Sequence, residues 1–243
     1  MITSASNPRL KLVRRLESRR QRERLGLFVC EGEDLVEAAL DAGLEPAEAL
    51  VDAERPALSA RLPGAEAVAP ELLRDLSSLA HPPRVVAVFR RADLPGLPET
   101  GGPRVGLALW RIADPGNLGT LLRAADALGP AFVLLSVGCA DPTGAKAVRA
   151  SMGALFRVPL AAFEQRRGSL IGLVPRGAAK PLEELGLEGE LTFALGAERE
   201  GLPDHVLSQC EETASIPLAE GAESLNVALA GAIALYEWRR RQR

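Results

Sequence analysis

Apolar positions fall into two rhythms along this chain: short continuous runs, and longer stretches with an apolar residue every three or four positions. In the first part, "GLFVC", "AEALV" and "RVVAVFR" read as strands. "EDLVEAALDAG" reads as an amphipathic helix stopped by Gly43, and "PELLRDLSSLA" (Pro70–Ala80) as a helix with Pro70 at its start. At the N-terminus, "SNPRLKLVRRLESRRQRER" predicts one basic helix, with Ser6 or Asn7 as its cap and Pro8 in its first turn. This alternation suggests a small α/β sandwich.

The stretch "RADLPGLPETGGPR" (Arg91–Arg104) is rich in Pro and Gly and is the best candidate for a linker. Beyond it the alternation is cleaner. "RVGLALWRI", "AFVLLSV", "RVPLAAF", "SLIGLVP", "LTFALG" and "TASIPL" read as six apolar strands. Between them "GNLGTLLRAADALG", "DPTGAKAVRASMGAL", "PLEELGL" and "LPDHVLSQ" read as helices, and "ESLNVALAGAIALYEWRR" closes the chain as another. Runs that are apolar throughout mark strands buried on both faces, so a doubly wound parallel sheet is expected. In such sheets ligands bind at the carboxyl ends of the strands.

Charge placement adds a partner class. The 243 residues carry a net charge of −3, yet residues 1–24 carry +6, so the rest sums to −9. A basic arm on an acidic body fits phosphate binding and equally fits a solvated Arg-rich helix. Cys30, Cys139 and Cys210 are scattered, which favours a reducing compartment without a disulfide framework. His81 and His205 are the only histidines, so no zinc spacing exists and a Ser–His–Asp type of site has little to draw on. The N-terminus lacks a signal-peptide core and no apolar run reaches 18 residues, so a soluble cytoplasmic protein is expected.

The usual nucleotide motifs are missing. No GxGxxG follows a strand, and "GAEREG" (Gly196–Gly201) lacks the Lys-Ser/Thr of a P-loop. Three strand-end segments hold the remaining polar chemistry. In "ADPGNLGTLLRAADALG", Asp114 and Asn117 sit at a strand-to-helix turn where Asn can cap the helix, and Arg123 interrupts an apolar stretch. In "LTFALGAEREGLP", Glu198 lies in a turn between Gly196 and Gly201, which permit close backbone approach; an ordinary loop is the plain alternative. In "SIPLAEGAESLNVALAG", Ser224 can cap the final helix, which leaves Asn226, a weak helix former, without an evident reason.

Taken together, "DPGNLGTLLRAADALG", "LGAEREGLP" and "IPLAEGAESLNVALAGAIALYE" resemble, in order and spacing, the three motifs of the SpoU/TrmH RNA ribose 2′-O-methyltransferases of the SPOUT superfamily. "VRASMGALFRVPL" is similar to the segment between the first two motifs. "SNPRLKLVRRL" and "FVCEGEDLVEAAL" look like that family's N-terminal substrate-binding domain, which resembles ribosomal protein L30e. The resemblance implies an L30e-like α/β domain over residues 1–92, a linker over 93–103, and over 104–243 a Rossmann-like parallel sheet with a deep trefoil knot. It also implies S-adenosylmethionine as cofactor without a metal, a homodimer through the knotted domains, and an RNA substrate, with ribosomal RNA favoured over tRNA.

Residue by residue, the resemblance implies catalytic roles for Arg123, Asn117, Glu198, Ser224 and Asn226. Arg123 is the family's arginine, proposed there as a general base. A guanidinium stays charged, so gripping an RNA phosphate and stabilising the developing alkoxide suits it better. Asn226 would orient the hydroxyl or Arg123, and Glu198 would position Arg123 or RNA. Arg123→Ala and Asn226→Ala are expected to abolish methylation with the fold intact. Leu195, Gly196, Gly201, Ile216, Leu218, Leu225 and Asn226 would hold the cofactor. Arg9, Arg14, Arg15, Arg19 and Arg123 would meet RNA. Arg199 stands where many relatives carry a smaller or acidic residue. Base methylation, a non-catalytic RNA-binding relative and a nicotinamide enzyme are the competing readings, the last weakened by the missing GxGxxG.

Overall fold

A computed structural model describes residues 1–77, 81–175, 179–222 and 224–242. The chain divides into two compact units, Met1–Leu94 with Asp141–Phe156, and Pro95–Ala140 with Arg157–Arg243.

The first unit begins with α1 (Pro8–Arg15) and α2 (Arg19–Leu25), followed by β1 (Leu27–Glu31), α3 (Glu33–Asp41), β2 (Glu48–Asp52), β3 (Glu66–Val68), α4 (Pro70–Arg74) and β4 (Val85–Arg90). The basic stretch is thus two helices rather than the single one expected. Ser18 is extended at φ −80° and ψ 125°, which breaks the run. The break has a physical reason. It buries Leu10, Val13 and Leu16 on one side and turns Arg22 inward, where its guanidinium donates to the carbonyls of Leu16 and Glu17 at 2.8 Å each. Those carbonyls lie just past the end of α1, where helical partners run out. Asn7 caps α1, accepting from the Arg9 N–H at 2.9 Å. The sheet runs β1-β4-β2-β3, with β4 antiparallel to both neighbours and β3 parallel to β2. Strand β3 was not legible in the sequence because three half-polar residues carry no periodicity. The end of the helix expected over Pro70–Ala80 falls at residues 78–80, outside the described residues.

The second unit is built from β5 (Val105–Leu109), α5 (Pro115–Leu128) and β6 (Ala131–Leu135). The chain then leaves for α6 (Ala145–Ser151), which packs in the first unit, and returns as β7 (Leu160–Ala162) and β8 (Ser169–Leu173). The remaining elements are β9 (Lys180–Pro181), β10 (Leu191–Leu195), α7 (Asp204–Leu207), β11 (Glu212–Ser215) and α8 (Val227–Arg241). Seven strands form one sheet in the order β7-β6-β5-β10-β8-β11-β9, every neighbouring pair parallel. Every residue of β5 and β10 is buried, as their unbroken apolar runs required. Helix α8 lies against α5 and β10. Gly231 is what lets the helices meet: a Cβ there would fall 2.4 Å from Leu121 Cδ2.

Further sequence expectations change: the helix expected over "PLEELGL" is the end of β9 followed by a single 3-10 turn at Leu182–Glu184. The helix expected from Asp141 to Leu155 is only α6, ended by Met152 in the left-handed region at φ 50°. The expected linker is not free at its start, since the Pro95 carbonyl accepts from the Leu160 N–H at 2.9 Å beside β7. Within the first unit, Asp141 and Arg22 form a buried ion pair at 2.8 Å. Phe156 joins Phe28 and Phe89, with ring centroids 6.4 Å away from each. The stretch 141–156, part of the expected 104–243 domain, is therefore core material for the first unit.

Candidate functional site

The carboxyl ends of β5, β10 and β11 feed the three polar segments, and the sheet order sets β5 beside β10. At the first, Asp114 is the cap of α5, accepting from the Asn117 N–H at 2.9 Å. Asn117 is therefore not the cap expected from its residue type. It sits in the first turn, and its side chain is free for another task. At the second, the Ala197 carbonyl accepts from the Gly201 N–H at 2.9 Å, closing a tight turn around Glu198. Gly201 is left-handed at φ 66°, and a Cβ on Gly196 would lie 2.0 Å from the Gly201 carbonyl carbon, so both glycines are required. At the third, Asn226 caps α8, its Oδ1 accepting from the N–H groups of Ala228 and Leu229 at 2.9 and 3.3 Å. Ser224 does not cap the helix. It lies two residues before the cap and makes no hydrogen bond among the described residues.

These side chains form a chain of hydrogen bonds. Asn226 Nδ2 donates to Asn117 Oδ1 at 3.1 Å, and Asn117 Nδ2 donates to Glu198 Oε1 at 2.8 Å. Each amide has one orientation that satisfies it. Asn226 must aim Oδ1 at the helix N–H groups, which leaves Nδ2 for Asn117, and Asn117 must then turn Nδ2 to the carboxylate. The three segments are locked to one another through this relay. Asn226 thus contacts Asn117 rather than Arg123, and Glu198 also binds Asn117 rather than Arg123.

A cleft of about 340 Å³ opens beside the relay. Every residue expected to hold a cofactor lines it: Leu195, Gly196, Gly201, Ile216, Leu218, Leu225 and Asn226. Glu198 and Ser224 lie on its polar side, and Leu195, Ile216, Leu218 and Val227 form its apolar side. Arg199 is exposed at its edge. Leu173, Val174 and Pro175 also line the cleft. Sequence reasoning missed them because nothing in "SLIGLVP" announces that β8 pairs with β10.

Arg123 stands apart. It is exposed on α5 with no hydrogen bond or ion pair among the described residues. Six residues beyond Asn117, it lies about 9 Å further along the axis and about 120° round the helix. Of the expected RNA-binding arginines, Arg9 pairs with Glu48 at 3.0 Å and Glu66 at 3.2 Å, and Arg19 with Glu23 at 2.8 Å. Arg14 donates to the Ala5 carbonyl at 2.9 Å, and Arg15 is exposed. Among the described residues no cluster of His, Cys, Asp and Glu could hold a metal, and no helix is long and apolar enough to cross a membrane.

Residues 104–236 match the family model described as the SpoU rRNA Methylase family. The chain belongs to the SpoU rRNA methylase family. Residues 7–87 of this SpoU protein match the MRM3-like substrate binding domain. It is 31% identical to a 23S rRNA (uridine(2479)-2′-O)-methyltransferase of Streptomyces viridochromogenes, over 91% of this chain and 85% of that one. It is 28% identical to the 23S rRNA (guanosine(2553)-2′-O)-methyltransferase of Bacillus subtilis, over 98% of both. Among solved structures, an AdoMet-bound rRNA methyltransferase from Sinorhizobium meliloti superposes with a TM-score of 0.87 at 27% identity, covering 100% of this chain and 98% of that one. All the polar residues singled out in the three segments lie inside the SpoU match.

Proposed function

We propose that this protein methylates a ribose 2′-hydroxyl of ribosomal RNA, with S-adenosylmethionine as methyl donor. The observation that carries this reading is the Glu198–Asn117–Asn226 relay at the mouth of the cleft, inside a SpoU methylase sequence. The cleft fits the donor. Its volume is in the range of small-molecule sites, its apolar side suits an adenine, and its polar side suits a ribose and an amino-acid tail. When bound, S-adenosylmethionine supplies a methyl group on a positively charged sulfur.

The chain's own residues then have three tasks. The cleft walls fix the donor, the relay fixes the three loops, and a cation meets the negative charge that grows on the attacking oxygen. Alignment of this kind removes several kcal/mol of barrier. Arg123 is the cation in this reading. The 2′-hydroxyl proton leaves to water or to an RNA phosphate that Arg123 grips, since a guanidinium does not take it up at neutral pH.

A homodimer is part of the same reading. Leu229, Ile233 and Tyr236 are exposed at 52%, 39% and 57% and recur at helical spacing along α8, an apolar stripe that a monomer leaves in water. Helix α5 packs beside α8, so a partner seated on that stripe would bring Arg123 into the seam. A trefoil knot is part of the same reading, and what supports it is the SpoU match over residues 104–236, which covers the stretch from β10 through β11 into α8. Residues 1–92 would serve as the RNA-binding module, 93–103 as connector and 104–243 as the methyltransferase domain, in a cytoplasmic enzyme acting on ribosomal RNA.

The test is mapping of 2′-O-methyl groups in ribosomal RNA from a strain lacking the protein, with in vitro transfer from labelled S-adenosylmethionine. One ribose methylation should vanish and return with the wild-type protein. Arg123→Ala should lower turnover by about 100-fold or more while donor binding and melting temperature stay as in wild type. An unchanged methylation map together with failure to bind S-adenosylmethionine would refute the reading.

A further inference from the structure

A second basic position lies at the same carboxyl end of the sheet, outside the three motifs' polar residues. Arg111 follows β5 by two residues and has φ 54°, one of two non-glycine residues with positive φ among those described. A side chain in this region is disfavoured, and it persists only where the surroundings impose it. Here they do. The Arg111 N–H donates to Ser136 Oγ at 2.9 Å, at the end of β6. Its stem lies over Gly138, where a Cβ would come within 3.3 Å of Arg111 Cγ and 3.4 Å of Nε. Gly138 is itself left-handed at φ 97°, and the outcome is an exposed guanidinium with no hydrogen bond or ion pair among the described residues. Beside it Val137 is 95% exposed, a large apolar side chain held out into solvent by the same turn.

We infer that Arg111 and Val137 form an RNA-contact surface, Arg111 binding a backbone phosphate next to the target nucleotide and Val137 touching the sugar or base beside it. The inference rests on the proposed methyltransferase reading for its choice of substrate. Three features point to a nucleic acid strand. The cation has no hydrogen bond or ion pair among the described residues, which leaves its donors open to a phosphate. The apolar neighbour offers a surface for an unstacked nucleotide, which is how single-stranded RNA is gripped. The position is three residues before Asp114, the cap of the helix that carries Asn117 and Arg123.

Arg111→Gly separates this role from a structural one, because glycine accepts the left-handed backbone without strain. Affinity for unmodified 23S rRNA transcript is measured by fluorescence anisotropy across a salt series, alongside methyl-transfer kinetics, donor affinity, melting temperature and mass by light scattering. We expect an equal or higher melting temperature and unchanged mass, donor affinity and kcat. The RNA dissociation constant and KM should rise about tenfold, and the salt slope should fall by about 0.7 to 0.9. Arg111→Lys should recover part of the affinity, and Val137→Asp should weaken RNA binding with the fold intact. Unchanged RNA affinity and salt slope in Arg111→Gly would overturn the inference, and so would a change in mass, which would make the surface a protein interface. RNA affinity is read without turnover, so a wild-type protein that binds RNA and transfers no methyl group would refute the proposed function while these binding data still decide Arg111.

Discussion

Asn226 performs two jobs with its two side-chain atoms, and substitutions can separate them. Its Oδ1 caps α8 and its Nδ2 holds Asn117. Asn226→Ala loses both and should cost about 1 kcal/mol of stability through the lost cap, a loss that leaves the fold intact. Asn226→Asp keeps an oxygen for the helix N–H groups and loses the donor, with a second carboxylate now near Glu198. It should keep the wild-type denaturation midpoint and lose most methyl transfer. Midpoints and turnover for the two variants check this, and equal activity in Asn226→Asp and wild type would remove the relay from the mechanism. Asp141 gives a pH prediction at the same scale. Burial alone would raise its pKa, but hydrogen bonds from Thr143 and Arg22 and the charge of Arg91 hold it below the usual carboxylate value. A folded pKa below the unfolded one means that the carboxylate stabilises the fold at neutral pH, and the contribution disappears as pH falls below about 4. Asp141→Asn leaves Arg22 buried without its counter-charge and should cost about 3 kcal/mol at pH 7. Urea titrations should show that gap constant from pH 7 to about pH 5 and shrinking below.

Among the elements, the contact of α5 with α8 matters most, because one helix carries Asn117 and Arg123 and the other begins at Asn226. Its closeness depends on Gly231, whose missing Cβ leaves room for Leu121. Gly231→Val should force the helices apart, cost about 1–3 kcal/mol and weaken donor binding by stretching the Asn226–Asn117 bond. Calorimetric titration with S-adenosylmethionine, beside thermal denaturation, would detect both effects; a stability loss with unchanged donor affinity would mean that the relay tolerates the shift. The N-terminal helices teach a related point. Arg22 belongs by sequence to a run of solvated arginines, yet its side chain is 8% exposed and fastened to Asp141. Charge counting could not single it out, because its partner is 119 residues away.

For the whole molecule, the apolar stripe on α8 carries the prediction. A Leu229→Arg/Tyr236→Arg variant should halve the mass seen by light scattering and lose methyl transfer, with the fold kept because both side chains are exposed in one protomer. A wild-type protein that is monomeric at micromolar concentration would remove the homodimer from the reading.

What the sequence determined by itself was local or repetitive. Unbroken apolar runs announced β5, β6, β8 and β10 as strands buried on both faces, and the alternation with helices announced a parallel sheet. The three polar segments were legible because each is one short strand-to-helix turn, whereas the residues expected to hold the cofactor came only from the family resemblance that those segments carry. What only the tertiary structure decided was pairing across distance. Nothing local says that Asn226 meets Asn117 or that β8 supplies a wall of the cleft. Those outcomes depend on which strand neighbours which. The Asp114 cap, by contrast, is local: it is the residue before Pro115, the first position of α5. Residues 141–156 are again a matter of distance: they read as part of one domain and pack in the other unit. Their apolar side chains specify burial, and burial carries no address.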